Sequence, residues 1–276
     1  MKIFFSESKA DYATYTFNYG IYCLQENPDE LDAILDQGFL PYSGNPQLTS
    51  DLFYLARSLR INAELHQETS ENRRVNRKLE PENIQLEIVA KSDFVKNDAF
   101  DLFCEAYAAE RMNGQMPLER INYLFQRSTC THLFCYTKNE QPVGYVICAL
   151  TETSLQYWFS FFDLSLMQNL PIGKWMMGHV IQWALQNGRQ YIYLGTCYEE
   201  KSLYKIRDFK GLQFFDGYRW NADVALLKAK CKTDAARGLG DDLKLSEDMD
   251  GYLERHLNPP LTDQEKNGND TRSPHV

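Results

Sequence analysis

Apolar and polar positions set out an order of elements along the first 227 residues. Leu31, Ile34 and Leu35 recur at helical spacing behind Pro28, Asp29 and Glu30, and Gly38 stops the run, so Asn27 opens a short helix. Leu52 to Ile61 reads as a strand, and 84–89 (IQLEIV) alternates as a second one. Phe100, Phe103, Cys104 and Tyr107 predict a helix over 98–112, closed by Asn113-Gly114, and 119–126 a shorter helix. His132–Thr137 and Val143–Leu150 flank turn residues and predict a hairpin. A third, strongly aromatic strand runs over 154–164. An amphipathic helix follows over 172–187, ended by Gly188, and then a strand from Tyr191 to Leu194. Lys201–Arg207 reads as a short helix, and Phe214–Tyr218 and Asp223–Leu227 as late strands. Residues 1–25 are aromatic and polar without a clear period, and 66–79 are polar and basic.

Two helices, three antiparallel strands, then helix, strand, helix, strand make an α+β chain. The layout suits a GNAT-like acyltransferase: a mixed sheet flanked by helices, preceded by a smaller N-terminal α/β region. The expected units are an N-terminal region over 1–90, a catalytic domain over 91–234 and an acidic, disordered tail over 235–276, where nine acids face five bases. Architecture alone names no reaction.

Composition narrows the classes. With 43% apolar and 24% charged residues, 16 Phe and 17 Tyr, the chain of 276 residues has ample surface to bury. No apolar run is long enough to span a membrane, and the apolar start, Ile3–Phe5, is too short for a signal sequence. A net charge of −9 argues against whole-surface nucleic-acid binding, and no DNA or membrane partner is expected. Seven cysteines without C-x-x-C spacing read as buried thiols of a cytoplasmic protein, and five scattered histidines suggest no metal site.

No P-loop, G-x-G-x-x-G, G-x-S-x-G or H-E-x-x-H is present. A coenzyme A pyrophosphate would need main-chain N–H groups before the helix at 172. That turn reads Asn169-Leu170-Pro171-Ile172-Gly173-Lys174, with one glycine and a proline that donates nothing. Positive charge is concentrated instead. Residues 57–79 hold six bases against three acids, and 201–232 eight against three. Each reads either as a solvated face or as a phosphate-binding groove.

Several segments then resemble one family, the aminoacyl-tRNA–protein transferases, which comprise the arginyltransferases and the bacterial leucyltransferases. Asp29-Glu30-Leu31 through Gln37-Gly38-Phe39, then Ser43-Gly44, is similar to one family segment. Arg60, with Arg73-Arg74-Val75-Asn76-Arg77-Lys78 thirteen residues on, is similar to another. Tyr107, Arg111, Asn113-Gly114 and Met116 match a third, and Phe161-Phe162-Asp163 followed by Ile172-Gly173 a fourth. Tyr191–Gly195 and then Lys201, Tyr204 and Lys205 complete the order over 19–225. The resemblance implies transfer of an amino acid, arginine or leucine, from aminoacyl-tRNA to the N-terminal amine of a protein beginning with Asp or Glu, marking it for degradation. No cofactor is implied. The family's C-x-x-C falls on Phe53 and Ala56 and is absent here, and Glu199-Glu200 stand where the family carries a cysteine loop. The alternatives are an acetyl-coenzyme-A-dependent N-acetyltransferase and a catalytically silent protein that binds tRNA or degradation signals.

Under this resemblance Asp163, Tyr204 and Lys205 form the expected catalytic set. Asp163 takes a proton from the amine or merely caps a turn. Tyr204 donates to the ester or leaving hydroxyl, and Lys205 holds a phosphate or the acceptor's acidic side chain. Arg60, Arg73, Arg74, Arg77 and Lys78 are expected on the acceptor-stem phosphates. Asn113, Gly173, Gly195 and Lys201 complete the expected binding set, with Gly173 giving the terminal adenosine a close approach.

Overall fold

The computed structural model describes residues 1–13 and 16–237. In chain order the elements begin with a hairpin, β1 (Lys2–Asp11) and β2 (Thr16–Leu24), then α1 (Leu31–Asp36), β3 (Phe39–Pro41), β4 (Leu52–Leu55), β5 (Ser58–Asn62) and α2 (Ser70–Leu79). They continue with β6 (Gln85–Ala90), α3 (Asp98–Arg111), α4 (Leu118–Gln126), β7 (His132–Lys138), β8 (Gln141–Leu150) and β9 (Ser154–Phe162). The rest are α5 (Leu164–Met167), α6 (Ile172–Gln186), β10 (Tyr191–Thr196), α7 (Leu203–Asp208), β11 (Leu212–Phe215), β12 (Trp220–Asn221) and α8 (Val224–Arg237). The α+β reading with a mixed sheet and a smaller N-terminal sheet holds.

The strands form two sheets. The smaller runs β1-β2-β4-β3, the larger β12-β11-β5-β10-β9-β8-β7-β6. β5, from the N-terminal region, lies inside the larger sheet between β10 and β11. α2 and α6 cover one face, where Val75, Leu79, Met176, Val180 and Ile181 pack on Leu59, Val146, Leu155 and Ile192. On the other face, α3 and α4 pack Phe100, Cys104 and Ile121 against Leu133, Ile147 and Phe161. The small sheet and α1 cover the remainder of that face around Tyr193 and Phe215. Each fully buried aliphatic or aromatic side chain contributes roughly 1.5–3 kcal/mol, so these cores, not local propensity, hold the elements.

Two expectations are corrected, and one segment without a readable period gains its structure. The strand foreseen over 52–61 is two strands in different sheets. The chain changes sheet at Ala56-Arg57, because the Arg57 guanidinium turns inward, donates to Asp234 at 2.7 Å and lies 4.7 Å over the Tyr198 ring. The aromatic and polar start of the chain holds two paired strands, β1 on β2 from Lys2↔Leu24 to Asp11↔Thr16, with the register shifting between Glu7 and Lys9. The strand foreseen over 223–227 is the start of α8. Asp223 accepts the Leu226 N–H at 2.9 Å, and Leu227, Cys231 and Asp234 fall on one buried helical face. α8 therefore reaches into the tail segment foreseen from 235, the rest of which lies outside the described residues. All seven cysteines are buried and free. Phe53 and Ala56 are core residues. No helix among the described residues is long and apolar enough to cross a membrane.

Candidate active site

β9 and β10 run parallel but pair over three residues only, ending at Tyr193↔Gln156. Beyond that point they part, and a cavity of about 600 Å³ occupies the fork. It is lined from both faces of the large sheet. Tyr157, Met177, Leu194 and Tyr204 line it on the α6 side, and Tyr22 and Tyr54 of the small sheet, Tyr42 just after β3 and Arg120 of α4 on the other.

The end of β10 is built around one amine. Gly195 has φ +77, left-handed backbone that suits glycine, and the ladder to β5 shifts register there. This turn aims two carbonyls at Lys205. Its Nζ donates to Leu194 O at 2.8 Å and to Thr196 O at 3.0 Å. A Cβ on Gly195 would stand 3.8 Å from that nitrogen. No carboxylate pairs with Lys205 among the described residues. Burial pulls its amine down from 10.5 to about 8. The same loss of hydration pushes the Tyr204 hydroxyl up to about 12, so it stays a donor at neutral pH. Burial likewise raises Tyr107 and Tyr157. Two buried polar atoms of cavity-lining residues, Gln156 Oε1 and Arg120 Nε, have no hydrogen-bond partner among the described residues. Buried polar groups are normally satisfied, so a water or a bound ligand in the cavity completes both.

The structure brings Tyr204, Lys205 and Gly195 together at the cavity and places the other foreseen residues elsewhere. Asp163 caps α5, accepting the Ser165 N–H at 2.8 Å. The Phe162 ring fills the space a Gly173 side chain would take, 2.6 Å from a built Cβ. Asn113 has φ +48 in the turn after α3. Lys201 pairs with Glu199 at 3.0 Å and is 79% exposed. Arg60 is buried between the Tyr191 and Trp220 rings at 4.0 and 4.2 Å, with Asp36 and Gln213 on its N–H groups. Arg73, Arg74, Arg77 and Lys78 form the exposed face of α2. Arg74 binds Glu71, and Lys174 bridges Glu71 and Asp208 at 2.7 and 3.0 Å, tying α2 to the end of α7. Among the described residues Arg77 and Lys78 have no ion-pair partner. Gln156, Tyr157 and Arg120 were not singled out in the sequence. Their role depends on where two strands part and how the small sheet docks, which no local pattern encodes.

A family model described as an acetyltransferase (GNAT) domain matches residues 68–210. Among solved structures, the chain is similar to the C-terminal domain (DUF2156) of a candidate lysylphosphatidylglycerol synthetase from Agrobacterium fabrum. That match has a TM-score of 0.39 and 12% identity and covers 64% of this chain and 53% of that one. It is similar to L-PGS from Bacillus licheniformis, TM-score 0.38 and 9% identity, over 64% of this chain and 54% of that one. A candidate acetyltransferase from Clostridium difficile 630 matches at TM-score 0.33 and 12% identity over 45% of this chain and 86% of that one. The chain thus spans about half the length of the first two. No curated protein matches the chain.

Proposed function

The chain belongs to the GNAT acetyltransferase family, and from that premise we propose that it transfers an aminoacyl group from aminoacyl-tRNA to the N-terminal amine of an acceptor protein, one beginning with Asp or Glu. The carrying observation is the Lys205 amine at the β9–β10 fork, without a carboxylate partner and titrating near 8 in the cavity that Tyr204 also lines. The acyl donor is an ester, already activated, so the chemistry needs positioning, a neutral amine and proton transfer. The acceptor nitrogen bonds to the ester carbonyl carbon. Lys205, neutral and with its lone pair free of an acid partner, takes the proton the nitrogen sheds. The bond from that carbon to the ribose oxygen breaks, Tyr204 gives its proton to the leaving oxygen, and Lys205 returns one to Tyr204. The step as written draws on no cofactor.

The donor reading rests on three supports: the family resemblance of the sequence, the exposed basic face of α2 braced to α7, and the poor turn before α6. Pro171 offers no N–H there and Phe162 occupies the space beside Gly173. The match to an acetyltransferase model favours a second reading, acetyl-coenzyme A as donor.

The donor is tested by binding. Arg73→Glu with Arg77→Glu is expected to weaken tRNA affinity at least tenfold and to flatten its dependence on salt, with an unchanged melting temperature because both side chains are exposed. Filter binding across salt concentrations reads this. Unchanged tRNA affinity, together with tight coenzyme A binding, supports the second reading.

A further inference from the structure

The cavity is cationic inside an acidic protein. The chain has a net charge of −9, yet the only charged side chains among the described residues lining the cavity are Arg120 and Lys205. Lys205 is held at the fork by two carbonyls. Arg120 reaches the other wall from α4, beside Tyr42, Ser43 and Tyr54 of the small-sheet region. Its Nη1 donates to Gln115 O at 2.8 Å and its Nη2 to Ser43 Oγ at 2.8 Å, both neutral acceptors. Its buried Nε has no partner. A guanidinium carries five N–H groups, so each terminal nitrogen keeps one to give. No carboxylate pairs with it among the described residues, and burial lowers its pKa, the mark of a charge short of solvation. A part-buried, unpaired guanidinium is costly, and a bound anion relieves that cost.

We propose that Arg120 is the residue that selects the acceptor, by binding a carboxylate carried close to the attacking amine. The inference rests on the acyl-transfer reading above. The family resemblance offers Lys205 for the acceptor's acid; with Lys205 moving the proton, the cavity assigns that task to Arg120, the other charged side chain on its walls. One cation among neutral hydroxyl donors balances a single negative charge, which fits a carboxylate and not a dianionic phosphate. Gln156 serves the other end of the same molecule. It is 2% exposed, its Nε2 donates to Tyr157 O at 3.1 Å, and its Oε1 is left to accept an N–H of the amine at the fork. With the Arg120 guanidinium and no acid on its walls, the cavity disfavours an ammonium ion, so the acceptor binds with its amine neutral and its carboxylate charged.

The test compares peptides identical except for a first residue of Asp, Asn or phosphoserine. Each is measured as kcat/KM for transfer and, separately, as affinity by anisotropy of a labelled peptide. The wild-type protein is expected to favour Asp over Asn about 10–100-fold, the worth of a charge-assisted hydrogen bond. Arg120→Gln is expected to bring that ratio close to one, through KM, and Arg120→Lys to keep part of it. A wild-type ratio near one, a ratio unchanged in Arg120→Gln, or tighter binding of phosphoserine than of Asp would overturn the assignment. If no peptide receives an aminoacyl group, the transfer reading fails. The anisotropy ratios still decide whether Arg120 binds the carboxylate.

Discussion

Replacing Lys205 by methionine lowers kcat by about 100-fold or more, the usual contribution of a positioned base. The side chain keeps an unbranched apolar stem as far as Cε and loses the nitrogen that meets Leu194 O and Thr196 O. The pH dependence carries the sharper signature. Lys205 acts neutral and titrates near 8, and an α-amine acceptor titrates in the same region. Below pH 8 the wild-type rate therefore rises with the loss of two protons, and the residual rate of Lys205→Met with the loss of one. Stability moves with the same group. The folded amine is depressed from its unfolded value of 10.5 to about 8, so between these values the unfolded chain holds a proton that the folded chain has lost. Stability accordingly rises with pH across that window, and denaturant titrations of Lys205→Met lack the rise. A variant that keeps wild-type kcat, or the two-proton slope, contradicts the assigned role.

Asp234→Ala costs roughly 3–5 kcal/mol, because it takes the carboxylate Asp234 away from a guanidinium that is wholly buried. Arg57 sits where the chain leaves the small sheet for the large one, and Asp234 reaches it from α8 at 2.7 Å. Asp234 also accepts the Glu199 N–H at 3.1 Å, which holds the segment between β10 and α7. For a chain of this size the loss lowers the melting temperature by about 10 °C. Thermal unfolding followed by circular dichroism reads it. Arg57→Met combined with Asp234→Leu recovers most of the loss, since the buried cation and its carboxylate are removed together. A drop below about 1 kcal/mol in the single variant would show the pair to be dispensable.

That ion pair also shows where sequence reading stops. The run 52–61 is apolar enough to pass for one strand, and only a partner 177 residues away reveals why it breaks at Arg57. The segment 223–227 is a short apolar stretch, for which strand and helix periods are indistinguishable. The buried positions at 227, 231 and 234 decide for a helix. The N-terminal hairpin carries no period to read. The central elements were legible, from α3 through β10, because each has a stripe or alternation of its own. The site divides in the same way. Gly195, Tyr204 and Lys205 follow a recognisable core strand, so sequence position finds them. Asp163, Gly173 and Arg60 have the right residue types, but a cap, a ring contact and a stacked ion pair occupy them. Gln156 and Arg120 become visible only once the fork and the small sheet are in place.

The most direct measurement supplies the purified protein with a pool of radiolabelled aminoacyl-tRNAs and peptides beginning Asp, Glu, Lys, Arg or Met. A parallel reaction uses labelled acetyl-coenzyme A, and Lys205→Met serves as the control in both. The predicted result is label passing from aminoacyl-tRNA to the amine of the acidic peptides and lost in the control. Label arriving only from acetyl-coenzyme A would contradict the choice of donor, and label from neither donor would contradict catalysis at this fork and leave a binding protein.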